Sequence, residues 1–390
     1  MDRPMRILHV ARVTAPGAEA WNAVTLAKAL QEEGHVCWLA GERGTPVLEE
    51  AGRQGVRVAR GLAIPELRPW NWGQAVTALR TFLKQQRVDL IVVHTGGGHW
   101  TAHLARRGLP IPLVRILADA PAPRSDIAHR WLYRHGTDRI LIGGAYMRER
   151  HLLPLGVERE RVAVLPPGID LTATAYRPEA GRHQVRGDVR ADHRIPLGVP
   201  LIGILGRMSA VRGHRVLIDA AGHLAAAGRD FRLLVIGGEG DLREEDLRAQ
   251  ARPLGIEERL VFTGHIDDPL RYASALDVGV QPAIGPDAPS RPALELMAVG
   301  IPVVASLVGV LPELIDEDEL LVPPERPEPL AEAIGRLLDD LPWAGRLGER
   351  AFKRVQEDYS LAQHGRRATE LLLETLHAMR GVPAGEASEA

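Results

Sequence analysis

Along nearly the whole chain, short apolar runs alternate with longer stretches of helical period, a pattern that predicts βαβ units and parallel sheets rather than a sandwich or a bundle. A first series places strands at Arg6–Val10, Val36–Ala40, Val56–Val58, Leu90–Val93, Leu113–Ile116, Arg139–Ile142 and Val162–Leu165. A second places them at Leu201–Leu205, Arg232–Ile236, Leu260–Phe262, Val278–Val280, Val303–Ala305 and Leu320–Val322. Helices fall between; the one over Trp21–Glu33 carries Leu26, Ala29 and Leu30 on one face and stops at Gly34. Residues 170–200 are rich in Gly, Pro, Arg and Asp and show no clear period, which predicts an interdomain linker there. The expected organisation is an N-terminal domain over 1–172, a linker over 173–198 and a C-terminal domain over 199–360. A last helix over 361–380 packs back on the first domain, and a disordered tail follows over 381–390. Both domains read as Rossmann-like α/β units. Facing each other, they would open the carboxyl ends of both sheets into a deep cleft, where ligands bind in open α/β folds.

Composition narrows the class. With 390 residues, 45% of them apolar and 25% charged, the chain has the balance of a globular protein with a large core, not of a disordered or collagenous one. No apolar run approaches the roughly 18 residues of a membrane span. The charged start, Met1-Asp2-Arg3-Pro4-Met5-Arg6, leads straight into a strand and does not read as a signal peptide. A single cysteine, Cys37, makes no internal disulfide and reads as a core residue, which fits a reducing cytoplasm. Charge is divided unevenly. Residues 1–180 carry 24 Lys and Arg against 17 Asp and Glu, and the remainder carries 24 against 33. A basic first half suits an anionic partner or surface, with scattered surface charge as the alternative. Aromatics at 4% and dispersed basic residues argue against nucleic-acid binding.

Three strand ends carry candidate chemistry. The segment Pro286-Asp287-Ala288-Pro289-Ser290-Arg291-Pro292-Ala293-Leu294-Glu295 predicts a helix with Ser290 as N-cap and Pro292 in its first turn, stopped at Gly300. Its N–H groups and positive dipole end suit an anion, while Asp287 and Glu295 bracket it with carboxylates. That combination fits a ligand bearing both hydroxyls and phosphates. Next, Gly203-Ile204-Leu205-Gly206-Arg207-Met208-Ser209-Ala210-Val211-Arg212-Gly213 is a strand emptying into a loop with two arginines. Such guanidinium groups can clamp a diphosphate and neutralise a leaving group. Third, Val235-Ile236-Gly237-Gly238-Glu239-Gly240 runs a strand into a glycine loop, either a plain turn or a close backbone approach to a ligand.

In this order and at these positions, the three pieces resemble the retaining glycosyltransferases of family 4, which have the GT-B fold, over nearly the whole chain. The family's Glu-x7-Glu element with Gly-x-Pro-Val-Val reads here as Asp287-x7-Glu295 and Gly300-Ile301-Pro302-Val303-Val304. Its Gly-Arg…Lys-Gly reads as Gly206-Arg207…Arg212-Gly213, and its Pro-Asn-Gly-Val-Asp as Pro166-Pro167-Gly168-Ile169-Asp170. Its Pro-Glu reads as Pro312-Glu313. The resemblance implies transfer of a sugar from a nucleotide diphosphate sugar to an acceptor hydroxyl. Glu295 would hold the donor ribose, Asp287 the sugar hydroxyls, and Arg207 with Arg212 the diphosphate. Ser290 and Arg291 belong to the same donor helix. Gly238 and Glu239 would lie near the base, and the loop with Pro16 and Gly17 would close over phosphates and acceptor.

Two positions depart from the family pattern. Asp287 is one methylene shorter than the usual glutamate. Where many relatives place a histidine, this chain reads Leu117-Ala118-Asp119, so Asp119, His94 or His99 are the candidates to line the acceptor side, against core or loop roles for the histidines. No cofactor and no metal are expected, because arginines and a helix dipole can do the leaving-group work. The triplet Asp316-Glu317-Asp318 reads as solvated surface. The expected acceptor is an anionic cell-envelope glycan or glycolipid of the lipopolysaccharide type, with peripheral association at the inner face of the membrane. A noncatalytic nucleotide-sugar-binding protein and a GT-B sugar-nucleotide epimerase remain the alternatives. A dinucleotide dehydrogenase is disfavoured, since Ala11-Arg12-Val13-Thr14-Ala15-Pro16-Gly17 lacks the G-x-G-x-x-G turn.

Overall fold

In the computed structural model, which describes residues 3–13, 17–64, 72–117, 123–172, 182–285 and 291–381, all the paired strands run parallel to their neighbours. The chain divides into two units, one formed by Met1–Gly168 with Ser360–Ala390 and the other by Ile169–Tyr359. The first begins β1 (Arg6–Val10), α1 (Ala18–Glu32), β2 (Val36–Gly41), α2 (Pro46–Arg53), β3 (Arg57–Ala63) and α3 (Trp72–Gln85). It continues β4 (Leu90–Val93), α4 (Gly96–Arg106), β5 (Leu113–Leu117), α5 (Ile127–His135), β6 (Arg139–Ile142) and β7 (Val162–Val164). Its seven-stranded sheet has the order β3-β2-β1-β4-β5-β6-β7.

The second unit runs α6 (Arg182–Asp192), β8 (Leu201–Leu205), α7 (His214–Ala226), β9 (Arg232–Ile236), α8 (Glu244–Ala251), β10 (Leu260–Phe262) and α9 (Pro269–Ala273). It is completed by β11 (Val278–Gln281), α10 (Arg291–Ala298), β12 (Val303–Ser306), α11 (Leu311–Leu314), β13 (Leu321–Val322), α12 (Pro327–Asp339) and α13 (Leu341–Asp358). Its six strands are ordered β10-β9-β8-β11-β12-β13. The final helix, α14 (Leu361–Arg380), returns to the first unit and packs along α1.

Successive residues of a strand point to opposite faces, so a sheet covered on both sides needs apolar side chains at every position. In the first sheet β4 meets that demand at every position, while β1 and β5 bury His9 and Arg115 among apolar neighbours. Ile7, Leu90 and Val92 lie in one core with Leu26 of α1 and Leu371, Leu372 and Leu376 of α14. Leu8, Ile91 and Val93 lie in another with Leu79 of α3 and Ala102 of α4. Each fully buried aliphatic side chain contributes about 1.5–3 kcal/mol relative to exposure. Cys37 belongs to the first of these cores, and burial pushes its thiol up to about 12, so it packs as an inert apolar group. The helix after β1 ends where Gly34, at φ +87°, lets the His35 N–H donate to the Leu30 carbonyl at 3.0 Å.

Two stretches differ from the sequence reading. β3 extends to Ala63 beyond the expected Val58, its register against β2 shifting between Leu39 and Gly41. It is an edge strand, so Arg57 and Arg60 stay exposed and break the apolar pattern. The stretch read as a linker carries α6, which is held by charge rather than by an apolar stripe. Arg190 is fully buried, its guanidinium donating to the carbonyls of Pro196 at 2.8 Å and Val199 at 2.7 Å and to Asp277 Oδ2 at 2.9 Å. Asp277 also accepts from the Leu201 N–H at 2.8 Å and pairs with Arg186 at 2.7 Å. The expected disordered tail falls, except for Gly381, outside the described residues.

Two outcomes follow for stability. Asp277→Ala leaves Arg190 buried without its counter-charge and should cost about 3–5 kcal/mol, read as a lowered urea midpoint. An unchanged midpoint would contradict the role given to this pair. Acid should also destabilise the chain. Burial depresses His9 to about 3, His214 and His364 to about 4, and His94 and His99 well below their ordinary value. Unfolded histidines titrate near 6.5, so below that pH the unfolded chain binds the extra protons and stability falls, by up to about 1.4 kcal/mol per pH unit for each such group. Urea midpoints at about pH 7.5 and 5.5 check the sign; an equal or higher midpoint in acid would refute it.

Candidate functional site

At the carboxyl ends of β8 and β9, backbone meets backbone at distances that only glycine tolerates. A Cβ on Gly237, which has φ +137°, would lie 2.5 Å from the Gly206 carbonyl oxygen. One on Gly240 would lie 2.4 Å from the Met208 oxygen, and one on Gly213, at φ +77°, 1.7 Å from the Pro282 oxygen. The loops are also bonded to each other. The Gly206 N–H donates to Ile236 at 2.8 Å, Met208 to Gly238 at 2.9 Å, and Gly237 to Thr263 Oγ1 at 3.2 Å. β11 joins the same assembly, because the buried Gln281 side chain donates to the Leu205 carbonyl at 3.2 Å.

This scaffold fixes the two arginines. A Cβ on Gly206 would fall 2.4 Å from a terminal nitrogen of Arg212, so the guanidinium lies directly over the glycine. The stem of Arg207 passes over Gly240, 3.0 Å from where a Cβ would stand, and the residue is exposed. His214, the first residue of α7, is buried, and its Nδ1 stands 3.1 Å from the Ser209 carbonyl oxygen. Burial holds its pKa near 4, so it braces the loop as a neutral ring. On the loop's other side Asp241 accepts from the Ala210 N–H at 3.1 Å, and hydrogen bonds from Ser209 and Ala210 keep its carboxyl below the usual range. His214 and Asp241 escaped the sequence reading, although each directly adjoins a motif that it singled out.

Glu239 has a structural task here: its Oε1 accepts the Glu244 N–H at 3.1 Å, at the first turn of α8. In α10, Glu295 is only 7% exposed and takes a hydrogen bond from Arg291 Nε at 2.6 Å, one turn back. The helix stops at Gly300, at φ +74°, as the sequence reading expects. Asp287 and Ser290 lie outside the described residues, as do Pro16, Ala118 and Asp119.

In the first unit, Gly17 is exposed in extended backbone at the start of α1. His94, at the end of β4, is buried with Nε2 3.0 Å from Nδ1 of His9. Desolvation keeps both rings neutral, and Arg115 adds to the effect on His94. One ring therefore donates and the other accepts. Arg115 is itself buried, donating to the carbonyls of Val93 at 3.0 Å and Ile116 at 2.7 Å. His99 turns inward from α4, its Nε2 2.8 Å from Thr137 Oγ1 and its ring edge-on to Tyr133, so it packs as a core residue. In the acidic triplet, Asp316 pairs with Arg354 and Glu317 with Arg350. Among the described residues no cluster of three His, Cys, Asp or Glu side chains is arranged to hold a metal ion.

Known proteins bear on this geometry. The family described as Glycosyl transferases group 1 matches residues 199–340, and that described as Glycosyltransferase Family 4 matches residues 21–173. The chain is 30% identical over 302 residues to the 2-deoxystreptamine glucosyltransferase of Streptomyces kanamyceticus, covering 69% of this chain and 74% of that one. It is 32% identical over 244 residues to the D-inositol 3-phosphate glycosyltransferase of Nocardia farcinica, covering 60% of this chain and 52% of the relative. A glycosyltransferase from Rickettsia africae has the same fold, with a TM-score of 0.85 at 19% identity over 96% of this chain and 99% of that one. Anabaena Alr3699/HepE, solved with UDP and glucose, gives 0.76 at 19% identity over 95% of this chain and 99% of its own. With two parallel-sheet units of the GT-B kind and matches to both halves, the chain belongs to the group 1, family 4 glycosyltransferases.

Proposed function

We propose that the protein transfers a sugar from a nucleoside diphosphate sugar to an acceptor hydroxyl with retention of the anomeric configuration and without a metal. The observation that carries this reading is the pair Arg207 and Arg212 on a loop packed closely through glycine contacts, with the buried carboxylate of Glu295 in the same unit. Two guanidinium forks suit a diphosphate, since each presents paired N–H donors to phosphate oxygens. A carboxylate held by Arg291 keeps its second oxygen to accept from ribose hydroxyls. The UDP and glucose in the Anabaena structure support a donor of this class.

In the proposed reaction the bond between the anomeric carbon and the diphosphate oxygen breaks, and the acceptor oxygen bonds to that carbon from the same face. The acceptor proton passes to the departing diphosphate. Arg207 and Arg212 neutralise the charge that develops there, the task that a metal ion performs elsewhere. Asp287 is assigned to the sugar hydroxyls, and Asp119 and His94 to the acceptor side on the first unit. The basic first half of the sequence supports an anionic acceptor, and we assign a cell-envelope glycan or lipid-linked saccharide.

Arg212→Ala should slow transfer by about 10²–10³-fold, the usual loss when one charge-stabilising donor is removed, and weaken donor binding. Unchanged transfer and donor affinity would remove the diphosphate site from this loop. A thermal-shift panel of UDP, GDP, ADP and their sugar conjugates should show stabilisation by one nucleotide family, lost in Glu295→Ala. Equal shifts in both proteins would refute the ribose assignment.

A further inference from the structure

The outward face of α5 carries apolar surface that the fold does not use. Leu132 and Tyr133 anchor the helix from behind, both buried, while Ile127 is 88% and Trp131 46% exposed. They stand four residues apart and so share one face, with Arg130 and Arg134 running alongside. Arg124 precedes the helix. All three arginines are exposed, and none makes an ion pair among the described residues. Asp126, the one acid between residues 124 and 135, is occupied by His129 at 2.7 Å. Trp131 is held rather than loose: its ring stacks on Trp100 of α4, 6.2 Å between centroids and 6° between planes.

A rigid tryptophan beside an exposed isoleucine, with unpaired arginines along the same face, matches a surface that is hydrocarbon inside and anionic outside. The apolar groups enter the headgroup boundary, and the arginine stems lie along it with their charge in the phosphate layer. A second copy of this chain fits less well, because a two-fold contact would set the arginines of both copies against each other. We propose that α5 docks the protein on an anionic lipid surface, with Ile127 and Trp131 inserted and Arg124, Arg130 and Arg134 on the lipid phosphates. This docking does not rest on the donor-site reading.

The test is flotation of the full chain with vesicles of phosphatidylcholine alone or mixed with phosphatidylglycerol. Binding is expected only to the mixed vesicles and should weaken as salt rises. The double variants Ile127→Ser with Trp131→Ser, and Arg124→Glu with Arg130→Glu, should each bind at least about tenfold more weakly, since each removes one of the two required attractions. The arginine variant should keep the wild-type unfolding temperature, and both should keep the nucleotide thermal shift, which separates lost docking from lost folding or a lost donor site. Binding retained by both variants, or no binding by the wild type, would overturn the proposal. A mass that rises with concentration by ultracentrifugation, and does not in Ile127→Ser, would assign the face to a second copy instead.

Discussion

The close approach of strand-end loops in the second unit is the constraint on which the candidate site depends. Gly206, Gly213, Gly237 and Gly240 stand where any Cβ would collide with a carbonyl oxygen or a guanidinium. At Gly213, Gly237 and Gly240 no side chain can be added without moving backbone, and at Gly206 none without displacing Arg212, so the close packing of the loops sets where the arginines emerge. Sheet order explains why this happens here. β8 lies between β9 and β11, the point where successive connections leave in opposite directions, and the carboxyl end of such a strand opens a natural crevice. β1 holds the same place in the first sheet, and His9, Arg12 and the start of α1 follow from it.

Buried ionisable groups follow one electrostatic rule. Among the described residues, charge enters the interior where a partner or several carbonyls receive it, as in Arg190 with Asp277, Glu295 with Arg291, and Arg115 with its backbone acceptors. Histidines, which can shed their charge, are buried neutral instead. The two solutions serve different ends. The pair of Arg190 with Asp277 ties distant segments together, whereas neutral rings such as His214 brace a loop without adding to the field that Arg207 and Arg212 set up.

Most of the fold was legible because a parallel strand covered on both faces must be apolar throughout, and such runs stand out. β1, β4, β6, β8, β9 and β10 have the bounds that the sequence predicts. The exceptions are elements that apolar patterning does not govern. β3 is an edge strand with exposed arginines, and α6 is fastened by a buried charge network, which leaves no hydrophobic period to read. Arg207, Arg212 and Glu295 could be picked out as candidates because their motifs are local in sequence. The supports could not: Gln281 reaches Leu205, and Gly240 meets Met208, only after separate strands have been brought side by side. His99 shows the reverse difficulty. It sits in a glycine-rich segment that suggests a loop, yet the segment opens α4 and turns the ring into the core.

A crystal structure of the chain with a nucleoside diphosphate sugar bound tests the donor assignment most directly. The diphosphate should lie within hydrogen-bond distance of both Arg207 and Arg212, with a ribose hydroxyl on the free oxygen of Glu295. A nucleotide seated on the first unit, or on the second with both arginines turned away, would contradict it.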